Sequence, residues 1–264
     1  MAERITRENL IKNGEFLVIG GPCAVETEEQ VRKVASALYD LGIKVMRGQL
    51  WKPRSSPDSF QGVGLTGLPW LQRIKEDFGM IIATEIVDKD QIEPTMEVVD
   101  VPWVGSRNMQ NFELLKALRG NGTDQRPVIL KRGASCTIDE WLQSADYIGR
   151  DRVILCERGI RSATDSTRYT LDLNGALVVK HDKRMPVIGD PSHPAGRADL
   201  VPALSRSIVA AGLDGLVIEV HPDPANALSD AKQQITPATF REVLGQIKAV
   251  YRAMDLSINR ADLS

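Results

Sequence analysis

A closed (β/α)8 barrel, the TIM-barrel fold, is predicted by three features of this 264-residue chain. Short apolar, β-branched runs recur eight times at intervals of about one strand–helix unit, and helical patterns fill most of the gaps between them. No composition shift, charge block or Gly/Ser linker marks a second domain. The runs are continuous rather than alternating, as in parallel strands covered on both faces. A doubly wound open sheet is the alternative, but the first strand–helix turn lacks the G-x-G-x-x-G phosphate fingerprint of that fold. The expected organisation is a short N-terminal extension over residues 1–14 and a barrel over residues 15–264.

The runs are Phe16 to Ile19, Ile43 to Met46, Met80 to Thr84, Val98 to Val104, Pro127 to Lys131, Val153 to Cys156, Pro186 to Gly189 and Gly215 to Val220. Between them, Thr27 followed by Gln30 reads as a capping box ahead of Val31, Val34, Ala35, Leu38 and Leu41. Trp70, Leu71, Ile74 and Phe78 mark a second helix, and Phe112, Leu114, Leu115 and Leu118 a fourth. Thr137 and Glu140 form another capping box. Thr236-Pro237 starts a final helix through Phe240, Leu244, Ile247 and Tyr251. Pro94 limits the third helix, and Asn174-Gly175 places a turn signal inside the sixth, but both gaps are expected to be helical.

Composition removes several function classes. With 33 Lys+Arg against 35 Asp+Glu the net charge is −2, which supplies neither a nucleic-acid footprint nor a polybasic membrane surface. No run of spanning length and no signal-peptide core occurs, so no membrane association is expected and the cytoplasm is the expected compartment. Cys23, Cys136 and Cys156 are an odd, widely spaced set, unlike a disulfide framework.

Local cation clusters in so balanced a chain need a local reason. Arg47, Lys52 and Arg54 fall within eight residues, in a segment that Pro53 and Pro57 stiffen and that carries Ser55 and Ser56. Such a loop suits an anion, through the Arg fork, the Lys charge and the hydroxyls. In a barrel, chemistry lies at the C-terminal strand ends, and all eight ends carry polar residues. They hold Cys23, Arg47 with Lys52 and Arg54, Glu85, Ser106-Arg107, Lys131-Arg132, Glu157-Arg158 with Arg161, Asp190 with His193, and Glu219 with His221. Cations converging from several strands would repel one another unless polyanions neutralise them, which points to two phosphates and a carboxylate. Cys23, His193, Glu219 and Asp230 form a candidate set for one divalent metal ion such as Zn²⁺, Mn²⁺, Fe²⁺ or Co²⁺. Spacing alone does not mark them, because they share no compact motif. His181, among charged neighbours, is expected to be exposed, and His221 fits either a supporting or a structural role.

Several motifs become specific together. Gly21-Pro22-Cys23-Ala24-Val25-Glu26, Lys52-Pro53-Arg54-Ser55-Ser56-Pro57, Gly105-Ser106-Arg107-Asn108-Met109-Gln110-Asn111-Phe112 and Leu130-Lys131-Arg132-Gly133 resemble one family. So do Cys156-Glu157-Arg158-Gly159-Ile160-Arg161, Asp190-Pro191-Ser192-His193-Pro194 and Glu219-Val220-His221-Pro222. The family is 3-deoxy-D-arabino-heptulosonate 7-phosphate (DAHP) synthase in its short I-beta form, and the resemblance is collinear from about residue 15 to 245. It implies a transferase of the shikimate pathway that condenses phosphoenolpyruvate with erythrose 4-phosphate and releases phosphate. It also implies that Cys23, His193, Glu219 and Asp230 hold the metal. Arg107, Lys131 and Arg158, with Ser106 beside them, would hold the phosphate of phosphoenolpyruvate. Arg47 and Lys52 would meet its carboxylate, and Arg54 and Ser55 the phosphate of the aldose. Glu85 and Lys131 are alternative residues for handling water and protons.

Ser55 replaces the family's frequent Thr, Ser106 its usual Ala and Gly189 a branched residue, and Val101-Pro102-Trp103 is bulkier than usual. The nearest rival is 3-deoxy-D-manno-octulosonate 8-phosphate synthase, which uses arabinose 5-phosphate. Arg54 in the Lys52-Pro53-Arg54-Ser55 loop favours the four-carbon aldose. A catalytically retired barrel acting as a binding subunit would be expected to lack a ligand or phosphate cation, and none is missing. The resemblance implies a homodimer or homotetramer. The chain carries no counterpart of the extensions that confer feedback inhibition in relatives, so insensitivity to aromatic amino acids is expected.

Overall fold

Each apolar run becomes a parallel strand in the computed structural model, which describes residues 5–11, 15–54, 56–120 and 124–254. The order is α1 (Arg7–Leu10), β1 (Leu17–Gly21), α2 (Glu28–Asp40), β2 (Val45–Arg47), α3 (Leu68–Phe78), β3 (Ile81–Glu85), α4 (Ile92–Met96) and β4 (Val101–Val104). There follow α5 (Phe112–Arg119), β5 (Val128–Lys131), α6 (Ile138–Ile148), β6 (Val153–Glu157), α7 (Leu173–His181) and β7 (Val187–Gly189). The chain finishes with α8 (Ser192–Ala195), α9 (Val201–Ala210), β8 (Gly215–Glu219) and α10 (Pro237–Met254). The strands close in sequence order, and β8 returns to β1 over the register Leu17↔Gly215 to Gly21↔Glu219. No helix among the described residues is long and apolar enough to cross a membrane.

Two apolar layers hold the barrel. One lies between the strands and the helices and includes Leu38, Ile82, Leu115, Leu130, Trp141 and Phe240. The other fills the barrel with Ile19, Val45, Ala83, Val101, Ile129, Ile154, Ile188 and Val217. Ile5, Leu10 and Ile11, in and beside α1, pack against this inner layer, so part of the N-terminal extension is itself built into the fold. A strand repeats every two residues, so the next inward position above Val45, Ala83, Ile129 and Val217 is Arg47, Glu85, Lys131 and Glu219. Those four are the last residues of their strands. The closure that packs the apolar layer therefore also aims the charges.

Local signals explain the helices. Thr27 accepts from the Gln30 N–H, but the Gln30 side chain passes beyond the cap to Glu26 N and Ala24 O. Gln30 thus braces the loop that carries Cys23. The Thr137–Glu140 box forms in both directions. Pro94 lies within α4, which is five residues long. Asn174-Gly175 does not interrupt the sixth strand–helix gap. Both residues lie in the first turn of α7, capped by Asp172, whose Oδ1 accepts from the Gly175 N–H at 2.9 Å. At Gly189 the space of the branched residue is taken by Ile208, whose Cδ1 would sit 2.6 Å from an added Cβ.

Gly215 marks a tight point of the β1–β8 seam, because an added Cβ would overlap Leu17 O and lie 2.7 Å from Leu17 Cβ on the partner strand. Gly215→Ala is expected to lower stability by roughly 1–3 kcal/mol, read from the urea midpoint at unchanged slope. An unchanged midpoint would mean that β1 and β8 part without cost.

Candidate active site

The strand ends open into a cavity of about 540 Å³. Lys52, Arg54, Arg107, Lys131, Arg158, Arg161 and Arg168 line it, against the carboxylates of Glu85 and Asp230. Gln49, Ser106, Tyr169 and His193 complete much of the wall. Ser55 lies outside the described residues; its neighbours Arg54 and Ser56 both line the cavity. The Pro53 loop is anchored where Lys52 N donates to Gln61 O at 2.7 Å, and Arg107 Nη1 reaches Pro53 O at 3.2 Å.

At one side of the cavity, His193 and Asp230 reach its wall with buried Cys23 and Glu219 behind them. Ligand atoms of Cys23, Glu219 and Asp230 all lie within 4.8 Å of one another. His193 Nε2 is 3.6 Å from Glu219 Oε1, while its Nδ1 faces Asp190 Oδ2 at 2.7 Å. Asp190 is therefore placed to orient the imidazole and leave Nε2 toward the other ligands. It also takes the Lys131 ammonium at 2.9 Å. Burial tends to raise the Asp190 carboxyl, but His193 and Lys131 hold it well below the usual range. Burial pushes His193 down to about 4, so the imidazole is neutral at physiological pH with a lone pair to offer. Burial, then the Glu219 charge, push the Cys23 thiol well up. Glu219 Oε2 accepts from Gln233 at 2.6 Å, whereas Oε1 is buried with no hydrogen-bond donor and faces the Arg47 guanidinium at 3.2 Å. A sulfur, an imidazole and two carboxylates meeting around such an oxygen fit one divalent cation. Lys52 Nζ lies at the same place, 2.8 Å from Cys23 Sγ and 2.9 Å from Asp230 Oδ2. Burial works against its charge, but the surrounding Cys23, Glu219 and Asp230 hold its pKa above the usual lysine value.

Arg47 is placed differently from the other cations. It is fully buried and does not line the cavity; it donates to Pro22 O and Cys23 O and pairs with Glu219. Trp103, the bulky residue of β4, lies under both Arg47 and Lys131, whose charges stand 5.0 and 5.4 Å from its ring. Gly105 is needed beside Glu85, because a Cβ there would overlap the Glu85 carboxylate. That carboxylate accepts from the Gln49 amide.

Sequence reasoning missed Gln49, Arg168 and Tyr169 as cavity residues. Tyr169 stacks under Arg158 at 4.4 Å; burial would raise its phenol, but Arg158 and Arg168 hold it below its ordinary value. Arg168 and Tyr169 sit in the long loop between β6 and α7, ten or more residues past the strand end, where position along the strand carries no information. His181 is exposed as expected. His221 is a turn residue whose Nδ1 accepts from Asp223 N and whose Nε2 faces Glu26 at 3.5 Å.

Residues 4–254 match the DAHP synthetase I family. The chain belongs to that family. A phospho-2-dehydro-3-deoxyheptonate aldolase of Thermotoga maritima is 43% identical over 252 residues, covering 94% of this chain and 74% of the relative. The crystal structure of the Thermotoga maritima phospho-2-dehydro-3-deoxyheptonate aldolase (DAHP synthase) superposes with a TM-score of 0.87 at 42% identity, over 94% of this chain and 72% of that one. A 2-dehydro-3-deoxyphosphooctonate aldolase of Desulfotalea psychrophila is 30% identical, over 93% of this chain and 94% of the relative. Within the family, this chain is thus nearer to the heptulosonate relative than to the octulosonate one.

Cobalt titration of chelator-treated protein checks the ligand set. A thiolate-to-cobalt charge-transfer band is expected, and Cys23→Ala should abolish it. Metal binding must expel the thiol proton, since burial keeps Cys23 protonated while His193 is already neutral. Cobalt affinity should therefore rise by about tenfold per pH unit from pH 6 to 8. A flat profile would contradict thiolate ligation.

Proposed function

We propose that this chain condenses phosphoenolpyruvate with erythrose 4-phosphate to give DAHP and inorganic phosphate, the first step of the shikimate pathway. The observation that carries this reading is one cavity in which a band of cations adjoins a Cys/Glu/Asp cluster with His193 beside its glutamate. The band suits two phosphates and a carboxylate, and the cluster suits an ion beside an aldehyde.

Arg107, Lys131 and Arg158 hold the phosphate of phosphoenolpyruvate, with Ser106 beside them. Arg158 is kept facing the cavity by the Tyr169 ring beneath it. Lys52 meets the carboxylate, and Arg54 with Ser55 takes the aldose phosphate. Arg47 acts at one remove, by its ion pair to Glu219. Cys23, His193, Glu219 and Asp230 hold the metal, with Mn²⁺, Zn²⁺, Fe²⁺ and Co²⁺ all compatible with such donors. A divalent ion held there supplies Lewis acidity to the aldehyde. C3 of the enol attacks the aldehyde carbon, water adds at C2, and the resulting hemiketal phosphate loses phosphate by C–O cleavage. Glu85, aimed into the cavity and held by the Gln49 amide, is the residue we assign to the water and its proton. Lys131, tied to Asp190, neutralises charge on the phosphate. Positioning and fixed charge carry most of the rate in such a site. Assembly as a homodimer or homotetramer rests on the family resemblance and is read by sedimentation.

Phosphoenolpyruvate consumption by chelator-treated protein tests the proposal, with Mn²⁺ or Zn²⁺ restored and each aldose offered separately. Turnover with erythrose 4-phosphate and metal is expected; turnover with arabinose 5-phosphate only would move the chain to the octulosonate reaction. Arg158→Met should raise KM for phosphoenolpyruvate by roughly tenfold or more, the scale of one charge-assisted contact. An unchanged KM would remove Arg158 from the phosphate site.

A further inference from the structure

The loop from Glu157 to Asp172 joins β6 to α7 and brings Arg158, Arg161, Arg168 and Tyr169 to the cavity wall. Its middle, residues 161–166, is exposed throughout. Such a loop has to be held from its ends if its cations are to converge. Both ends meet at one side chain. Arg132 Nη1 donates to Glu157 Oε2 at 3.0 Å, at the loop's start, and to Asp172 Oδ2 at 2.7 Å, at its finish.

Arg132 does not line the cavity. It is 5% exposed, adjoins the Trp141 ring at 5.7 Å and reaches Cys136 O with Nη2 at 3.4 Å. It thereby also touches the β5–α6 loop, which meets the β6–α7 loop where Arg161 N donates to Ala134 O at 2.7 Å. Glu157 passes the tie onward, since its Oε1 accepts from Gly159 N at 2.7 Å, one residue beyond Arg158. Gly175 supplies an independent mark of the same feature. A Cβ there would overlap Asp172 Oδ2 and lie 2.9 Å from Arg132 Nη1, so the glycine in the first turn of α7 leaves room for the pair.

We infer that Arg132 is a positioning residue, a buried guanidinium that clamps both ends of the β6–α7 loop and so sets where the loop's cations meet a phosphate. Adjacent residues of the Lys131-Arg132 pair thus divide the work. Lys131 points into the barrel toward substrate, and Arg132 points outward and acts through the loop. The role of the phosphate rests on the function proposed above, whereas the clamp itself does not.

Removing Arg132 would strand the fully covered Glu157 carboxylate and threaten folding, so the leading test is Asp172→Asn. Asparagine keeps an acceptor for the Gly175 N–H and remains a good cap, but loses the charge that holds Arg132. Without ligand, trypsin should cut at Arg161 and Arg168 roughly tenfold faster than in the wild type, the scale of one lost charged hydrogen bond. Inorganic phosphate should protect the wild type from this cleavage and protect the variant only at higher concentration. KM for phosphoenolpyruvate should rise by about tenfold with kcat nearly unchanged. Gly175→Ala, which crowds the same pair, should act in the same direction, and Arg132→Lys should retain more phosphate protection than Arg132→Met. Unchanged cleavage and unchanged phosphate protection in both Asp172→Asn and Gly175→Ala would overturn the clamp. Faster cleavage and weaker protection in a protein that never consumes phosphoenolpyruvate would support the clamp and refute the proposed reaction instead.

Discussion

Closing eight parallel strands sends every second residue of each strand into the barrel, and the rest of this structure depends on how the topmost inward layer is filled. Below it the interior is apolar, built from residues such as Val45, Ala83, Ile129 and Val217. One step higher, the same alternation presents Arg47, Glu85, Lys131 and Glu219. A slip of one residue in any of these strands would turn the charge outward into the helix layer. Register and site geometry are therefore one constraint.

The charges in that layer are arranged in pairs that link the two halves of the site. Arg47 and Glu219 form a fully buried pair across the β1 strand end, and removing either partner would leave an uncompensated charge at a cost of roughly 3–5 kcal/mol. Asp190 joins His193, beside the Cys23/Glu219/Asp230 cluster, to Lys131 among the cavity cations, so displacement of one is felt by the other. Trp103 lies beneath Arg47 and Lys131 and gives both a face to rest on. Bulk at that position has a local use here.

The barrel was legible because its signals are local and repeated: continuous apolar runs, capping residues at Thr27 and Thr137, and Pro237 at a helix start. Polar residues immediately past each run were legible as a site for the same reason. Other features depend on long-range packing that a linear pattern does not carry. The gap that holds Asn174-Gly175 reads as helical despite its turn signal, and α7 forms there; what the sequence does not show is why glycine stands at 175, where Arg132 and Asp172 occupy the space a Cβ would need. Arg47 read as a cavity cation, because only the fold reveals that Glu219 draws it beneath the surface. Arg168 and Tyr169 return to the mouth from a loop whose path the sequence leaves open, and α1 gave no periodic signal within its four residues.

Held close together by the fold, the cations of this mouth should gain stability when a polyanion neutralises them. Thermal unfolding of the metal-loaded protein at low ionic strength tests this directly, with phosphoenolpyruvate or pyruvate added at equal concentration. A clear upward shift of Tm is expected with phosphoenolpyruvate, little shift with pyruvate, and a gain that shrinks as salt is raised. Equal shifts with both ligands, or a gain indifferent to salt, would contradict it.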